Sequence, residues 1–140
     1  NAKKGKYTNV EFRLGEIEKL PVEDDSIDVI ISNCVINLSP DKESVFKEAN
    51  RVLKSGGRLM VSDLVLAKEL PKELKDSIEA YVGCLAGAIK KDEYLNLISL
   101  AGFQDIKVIG ESSYPVDAMF DNFESAQDAI VSVKVSAKKR

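Results

Sequence analysis

The 140-residue sequence contains no histidine and only two cysteines. Without histidine, the chain lacks the usual general base and the usual zinc ligand, so its chemistry must avoid that residue or borrow it from another molecule. Two cysteines do not make a disulfide framework at this length. The two cysteines can therefore act only as individual thiols or as one pair.

Long apolar runs are also missing. No segment approaches the roughly 20 residues that a membrane-spanning helix needs, and the basic start at residues 1–6 has no apolar segment behind it and is not a signal peptide. The net charge of −3 repels nucleic acid and anionic membranes. We therefore expect a cytoplasmic protein with no nucleic-acid or membrane partner.

Hydrophobic periodicity, capping residues and turn residues predict the secondary structure. The predicted elements are a short strand at 9–14, a strand buried on both faces at 27–32, a helix from Ser39-Pro40 to a glycine C-cap at Gly56-Gly57, a strand at 58–66, helices at 72–89 and 92–100, and strands at 103–109 and 129–137. This order predicts an α/β fold with a mostly parallel sheet, and the last two strands, with no helix between them, predict an antiparallel edge.

Cys34 directly follows Asn33 at the end of the strand predicted at 27–32. Open α/β sheets bind ligands where a strand ends and its connection begins, so Cys34 is a candidate ligand. The alternative for Cys34 and Cys84 is that each is a small buried hydrophobic residue. Asp63 near the end of a second strand either faces a substrate or caps the next loop, and we favour the cap.

Four blocks of the sequence resemble class I S-adenosylmethionine (SAM) methyltransferases in their order and spacing. They are EIEKLP at 16–21, SIDVI at 26–30, RVLKSGGRL at 51–59 and AGF at 101–103. Two further segments, ISNCVINLSPDK at 31–42 and GCLAGA at 83–88, resemble the two cysteine sites of arsenite methyltransferases.

The resemblance implies a Rossmann-like class I methyltransferase sheet that lacks the first two strands. Residues 1–140 would then be a single partial domain, the C-terminal half of the catalytic domain. The implied activity transfers methyl from SAM to thiol-bound arsenic(III), with arsenite or thiol-conjugated arsenite as substrate and Cys34 and Cys84 as arsenic ligands. The family's glycine-rich loop for the methionine part of SAM is absent, so the implied cofactor site is incomplete.

The resemblance also assigns cofactor contacts to Glu16, Ile17 and Asn33. The Glu16 carboxylate would accept from the adenine amino group, and the Ile17 amide would reach the ring. The alternative is a solvated acidic loop for Glu16 and Ile17, and simple turn geometry for Asn33.

Two other functions remain open from the residues alone. One is a SAM-dependent methyltransferase of another small molecule, with structural cysteines. The other is a non-catalytic module that binds arsenic or another soft metal through its thiols. Because the strand predicted at 9–14 would have no neighbours, we also expect dimerisation through an exposed sheet edge or N-terminal disorder.

Overall fold

The computed structural model describes residues 1–70, 72, 76, 83–115 and 128–140, with residues 83 and 84 described in their backbone only. Its elements, in chain order, are strand β1 (Ile27–Asn33), a 3-10 turn (Ile36–Leu38), helix α1 (Lys42–Val52), strand β2 (Leu53–Leu66), helix α2 (Gly83–Ala86), helix α3 (Lys91–Leu100), strand β3 (Phe103–Ser113) and strand β4 (Ile130–Lys139).

The four strands form one sheet in the order β1-β2-β4-β3. Strand β1 is parallel to β2, whereas β4 is antiparallel to both β2 and β3. Three strands therefore point one way, and only β4 opposes them. The predicted α/β class and the antiparallel pairing of the last two strands are confirmed, although β3 holds the edge and β4 lies inside the sheet.

The core lies between one face of the sheet and helices α1 and α3. Alternate side chains of the two central strands point into it, namely Leu59, Val61 and Val65 on β2 and Val131, Val133, Val135 and Ala137 on β4. In the middle of the core the rings of Phe46 and Tyr94 meet edge to face, with centroids 5.3 Å apart. The period-2 pattern predicted for the last strand is confirmed.

Strand β1 corrects one prediction, because it is not buried on both faces. Its pairing with β2 is parallel as expected, but the Ile31 side chain is 79% exposed. The apolar run indicates a strand that is suited to burial. Among the described residues, however, β1 occupies the sheet edge, and no strand pairs with its outer side.

The strand predicted at residues 9–14 is wrong. The segment belongs to no strand, and the Phe12 and Leu14 side chains are exposed. Alternation of apolar and polar residues favours a strand only where a neighbouring strand can take its backbone hydrogen bonds. The described part of the chain offers no such neighbour to this segment.

Both predicted ends of α1 also move. The N-cap is Asp41 rather than Ser39, since the Asp41 side chain accepts a hydrogen bond from the Ser44 amide at 3.0 Å. The helix ends at Val52 without a glycine C-cap, because the chain passes straight into β2. Gly56 takes a φ of +76° inside the start of that strand instead. The helix predicted at 72–89 lies largely outside the described residues, and α2 falls within its C-terminal part.

Candidate functional site

Cys34 directly follows the last residue of β1, as predicted. Its backbone has a φ of +54°, a left-handed conformation that is uncommon for residues other than glycine. Its amide donates a hydrogen bond to the Ser62 carbonyl on β2, at 2.9 Å. Cys34, a half-buried residue, thus lies on a tight turn at the C-terminal end of a parallel strand, anchored by a backbone hydrogen bond. Strained backbone of this kind is concentrated at functional sites.

The helix that carries Cys84 packs close to Cys34, against the segment that follows it. Helix α2 contacts the 3-10 turn, which begins two residues after Cys34. The structure therefore places the helix that carries Cys84 against the segment that directly follows Cys34. The Cys84 side chain is outside the described residues, so the pairing of the two sulfurs stays a prediction.

A buried polar cluster lies beside the same strand ends. The Tyr94 hydroxyl on α3 donates a hydrogen bond to Asp63 Oδ2 on β2, at 2.6 Å. Lys42 Nζ, also buried, donates to the Ser39 carbonyl at 3.0 Å and exerts its charge on Asp63. We define Lys42, Asp63 and Tyr94 as the polar cluster. The prediction that Asp63 caps a loop is wrong, because the side chain is fully buried within β2.

Burial is the main cause of the pKa shifts of Asp63 and Tyr94 in the polar cluster. Burial raises the pKa of Asp63, although the Tyr94 hydrogen bond and the charge of Lys42 act in the opposite direction. Burial, the negative charge of Asp63 and, to a smaller extent, Cys34 raise the pKa of Tyr94. The Cys34 thiol is thus within electrostatic reach of a phenol that stays protonated and able to donate.

Sequence reasoning missed Lys42 and assigned Tyr94 to packing. A signal for the cluster was present in Asp63, an acid in the middle of an apolar strand, since such a residue needs buried partners. The partners themselves lie 21 and 31 positions away along the chain. Only the packing of α1 and α3 on the sheet identifies them.

Two of the three predicted cofactor residues line one apolar cavity of about 300 Å³ between β1 and α1. Ile17 and Asn33 lie on its wall, together with Leu20, Val35 and Phe46. Glu16 is not among its lining residues, and its side chain is exposed beside the cavity's Ile17. The structure thus joins Ile17 and Asn33 at one site and leaves Glu16 on the surface next to it.

Within the described ranges, no group of three or more cysteine, aspartate or glutamate side chains is arranged to hold a metal ion. No helix within those ranges has both the length and the apolar character to cross a membrane.

The chain is similar in sequence or structure to three methyltransferases. The chain is 38% identical over 140 residues to the arsenite methyltransferase of Halobacterium salinarum, covering 99% of this chain and 36% of that protein. It is 44% identical over 99 residues to the arsenite methyltransferase of Homo sapiens, covering 69% and 26%. It superposes on the crystal structure of an arsenic(III) S-adenosylmethionine methyltransferase from Chlamydomonas reinhardtii with a TM-score of 0.74 and 33% identity, covering 90% and 42%.

The chain therefore spans about a third of the length of the curated relatives that it matches. A domain family described as a methyltransferase domain matches residues 1–102, which is most of the chain. Together with the α/β sheet and the turn at the end of β1, this match leads to one conclusion: the chain belongs to the methyltransferase domain family.

Proposed function

We propose that the chain is the C-terminal part of the catalytic domain of a SAM-dependent arsenite methyltransferase, with residues 1–140 forming one partial domain. One observation carries the proposal: the 3-10 turn that begins two residues after Cys34 is contacted by the helix that holds Cys84. The 38% identity to an arsenite methyltransferase over nearly the whole chain supports the same function. A cytoplasmic location remains a prediction from composition.

Arsenic(III) is the substrate in this proposal, and the two thiols are its ligands. Soft thiolates select soft, thiophilic ions over hard ones. Two protein sulfurs and a third thiol would fill three positions on arsenic and leave its lone pair free to accept a methyl group. No proton has to be removed from that nucleophile, so a site without histidine is adequate. The role of Cys34 and Cys84 is then to position the reacting atom.

The cavity beside β1 fits part of the proposed cofactor. Its apolar wall, which includes Ile17, suits the flat faces of an adenine ring, and Asn33 adds a polar group to the same wall. The exposed Glu16 carboxylate beside it would accept from the adenine amino group. When bound, SAM supplies a methyl group on a positively charged sulfur.

Arsenite titration of serine variants tests the substrate. We expect Cys34→Ser and Cys84→Ser each to weaken arsenite binding by about a hundredfold or more in calorimetry, because each removes one of two protein ligands. Thr8→Ser, a small change in an exposed residue, is the control and should bind as the unaltered chain does. If arsenite binding survives both cysteine changes, the cysteines are structural and the methyltransferase acts on another small molecule.

A further inference from the structure

We infer that Gly87 and Asn37 form a positioning contact that fixes the separation of the helix that carries Cys84 and the 3-10 turn that follows Cys34. Gly87 directly follows α2, the helix of Cys84, and Asn37 is the middle residue of the 3-10 turn after Cys34. The arsenic-binding consequence of this inference rests on the proposed function. The separation of the helix and the turn does not depend on the proposed function, and it can be measured without arsenic.

Gly87 lies closer to Asn37 than any other residue type would allow. A Cβ atom built on Gly87 would be 1.7 Å from the Asn37 carbonyl oxygen and 2.8 Å from its carbonyl carbon. Real Cβ atoms essentially never approach another heavy atom within 3.0 Å. The two backbones are therefore in direct contact, and a methyl group at position 87 must push them apart.

The Asn37 side of the contact is fixed. Asn37 is 2% exposed, and its Nδ2 donates a hydrogen bond to the Leu64 carbonyl on β2, at 2.7 Å. The Cys34 amide is bonded to the Ser62 carbonyl, two residues away on the same strand. Cys34 and Asn37 are thus both held by β2, and the segment that contains them cannot move without breaking these bonds.

The Gly87 side is held at both of its ends. On one side, the buried Leu85 side chain anchors α2 in the interior. On the other side, the Leu66 amide at the end of β2 donates to the Ile89 carbonyl at 2.9 Å. Gly87 lies between these anchors, and its backbone contacts that of Asn37 in the 3-10 turn. A bulkier residue there would displace α2 and, with it, the backbone of Cys84.

Thiol bridging tests the separation directly, since the chain has only two cysteines. The probe is a short fluorogenic dibromide that becomes fluorescent when two thiols displace both bromides. We expect the unaltered chain to give the intramolecular bridge, and Gly87→Ala to slow bridging about tenfold or more, because small misplacements of reacting groups have large effects on rate. A long, flexible bis-maleimide should bridge both chains at similar rates.

Gly110→Ala is the matched control. A Cβ atom at Gly110 would meet only the flexible Lys134 side chain, at 3.4 Å, far from the contact in the sheet. The Gly110→Ala variant should react with the short probe at the rate of the unaltered chain. Asn37→Ala provides a second variant in case Gly87→Ala does not fold, and it should also slow the short probe because it releases the turn from β2.

Two results would overturn the inference. One is that Gly87→Ala and Asn37→Ala, both folded by circular dichroism, bridge as fast as the unaltered chain. The other is that the unaltered chain gives no short bridge. Arsenite titrations run in parallel distinguish failure of this inference from failure of the proposed function. If the variants bridge as fast as the unaltered chain but arsenite binding still depends on the cysteines, only the positioning contact is rejected.

Discussion

The Asp63 carboxyl group is fully buried, and one of its oxygens has no hydrogen-bond partner among the described residues. The other oxygen accepts from Tyr94 at 2.6 Å. A buried acid of this kind destabilises a fold unless it is protonated, hydrogen-bonded or paired with a cation. In the polar cluster, burial favours the protonated acid, Tyr94 donates a hydrogen bond to it, and the charge of Lys42 favours its ionised form.

Tyr94→Phe removes the hydroxyl and keeps the ring against Phe46. We expect the free energy of unfolding to fall by about 1–3 kcal/mol, because Asp63 Oδ2 then loses its hydrogen-bond donor and neither oxygen of the buried carboxyl group has one among the described residues. Urea denaturation followed by circular dichroism measures this change. Tyr7→Phe is the control, since Tyr7 is 65% exposed and its hydroxyl is not buried. Equal stability of the two variants would mean that the hydroxyl bond contributes nothing.

Asp63 also makes stability depend on pH. Its pKa in the folded chain is raised above the ordinary 3.8, so the folded state binds more protons than the unfolded state above that pH. The stability contributed by protonated Asp63 is fully present below pH 3.8 and is lost as pH rises through the raised pKa. Asp63→Asn should flatten this decline, because the amide does not ionise and can still accept from Tyr94. An identical decline in the variant would assign the pH dependence to other groups. Unfolding free energies measured across this pH range provide the test.

At the scale of elements, β1 leads directly into the turn at Cys34 and also forms an exposed edge of the sheet. Apolar residues on an unpaired edge strand favour association with another chain, and lysine is the residue that natural edges use to prevent it. Ile31, at 79% exposure, is the most exposed apolar residue of β1. The dimer expected from the sequence therefore remains a prediction, with β1 as its proposed edge.

We predict that the chain self-associates and that Ile31→Lys shifts it toward monomer without lowering the unfolding midpoint. Sedimentation velocity over a range of concentrations measures the shift. The matched control is Leu100→Lys on α3, which places the same charge at a residue with 67% exposure away from β1. A chain that is monomeric at every concentration would reject the edge as an interface.

At the scale of the whole molecule, we predict that these 140 residues hold only part of a SAM site. Ile17 and Asn33 share a cavity, but the 140 residues contain no glycine-rich loop of the type that the resemblance assigns to the methionine part of SAM. We expect calorimetry to give a Kd for SAM above about 1 mM, since much of the binding surface would be missing. Micromolar binding would show that the described cavity is sufficient by itself.

The sequence predicted some elements of the fold correctly and others wrongly. Strand β1, helix α3 and the alternation of β4 were predictable, because their periodicity is local and their partners lie in the same domain. The strand at 9–14 and the two-sided burial of β1 were not, because both depend on neighbours that the sequence pattern assumes and the described chain does not provide. The caps of α1 shifted by a few residues, since the direct passage of Val52 into β2 overrides the glycine signal.

The sequence by itself determined the α/β class, the methyltransferase resemblance and the position of Cys34 after a strand, because each depends on residue order and spacing. The tertiary structure alone decided that Asp63 meets Tyr94 and Lys42, and that Gly87 touches Asn37. Those contacts join residues between 21 and 50 positions apart in the chain. They form only when α1 and α3 pack against the sheet and α2 packs against the 3-10 turn, and no local pattern in the sequence specifies which residues then meet.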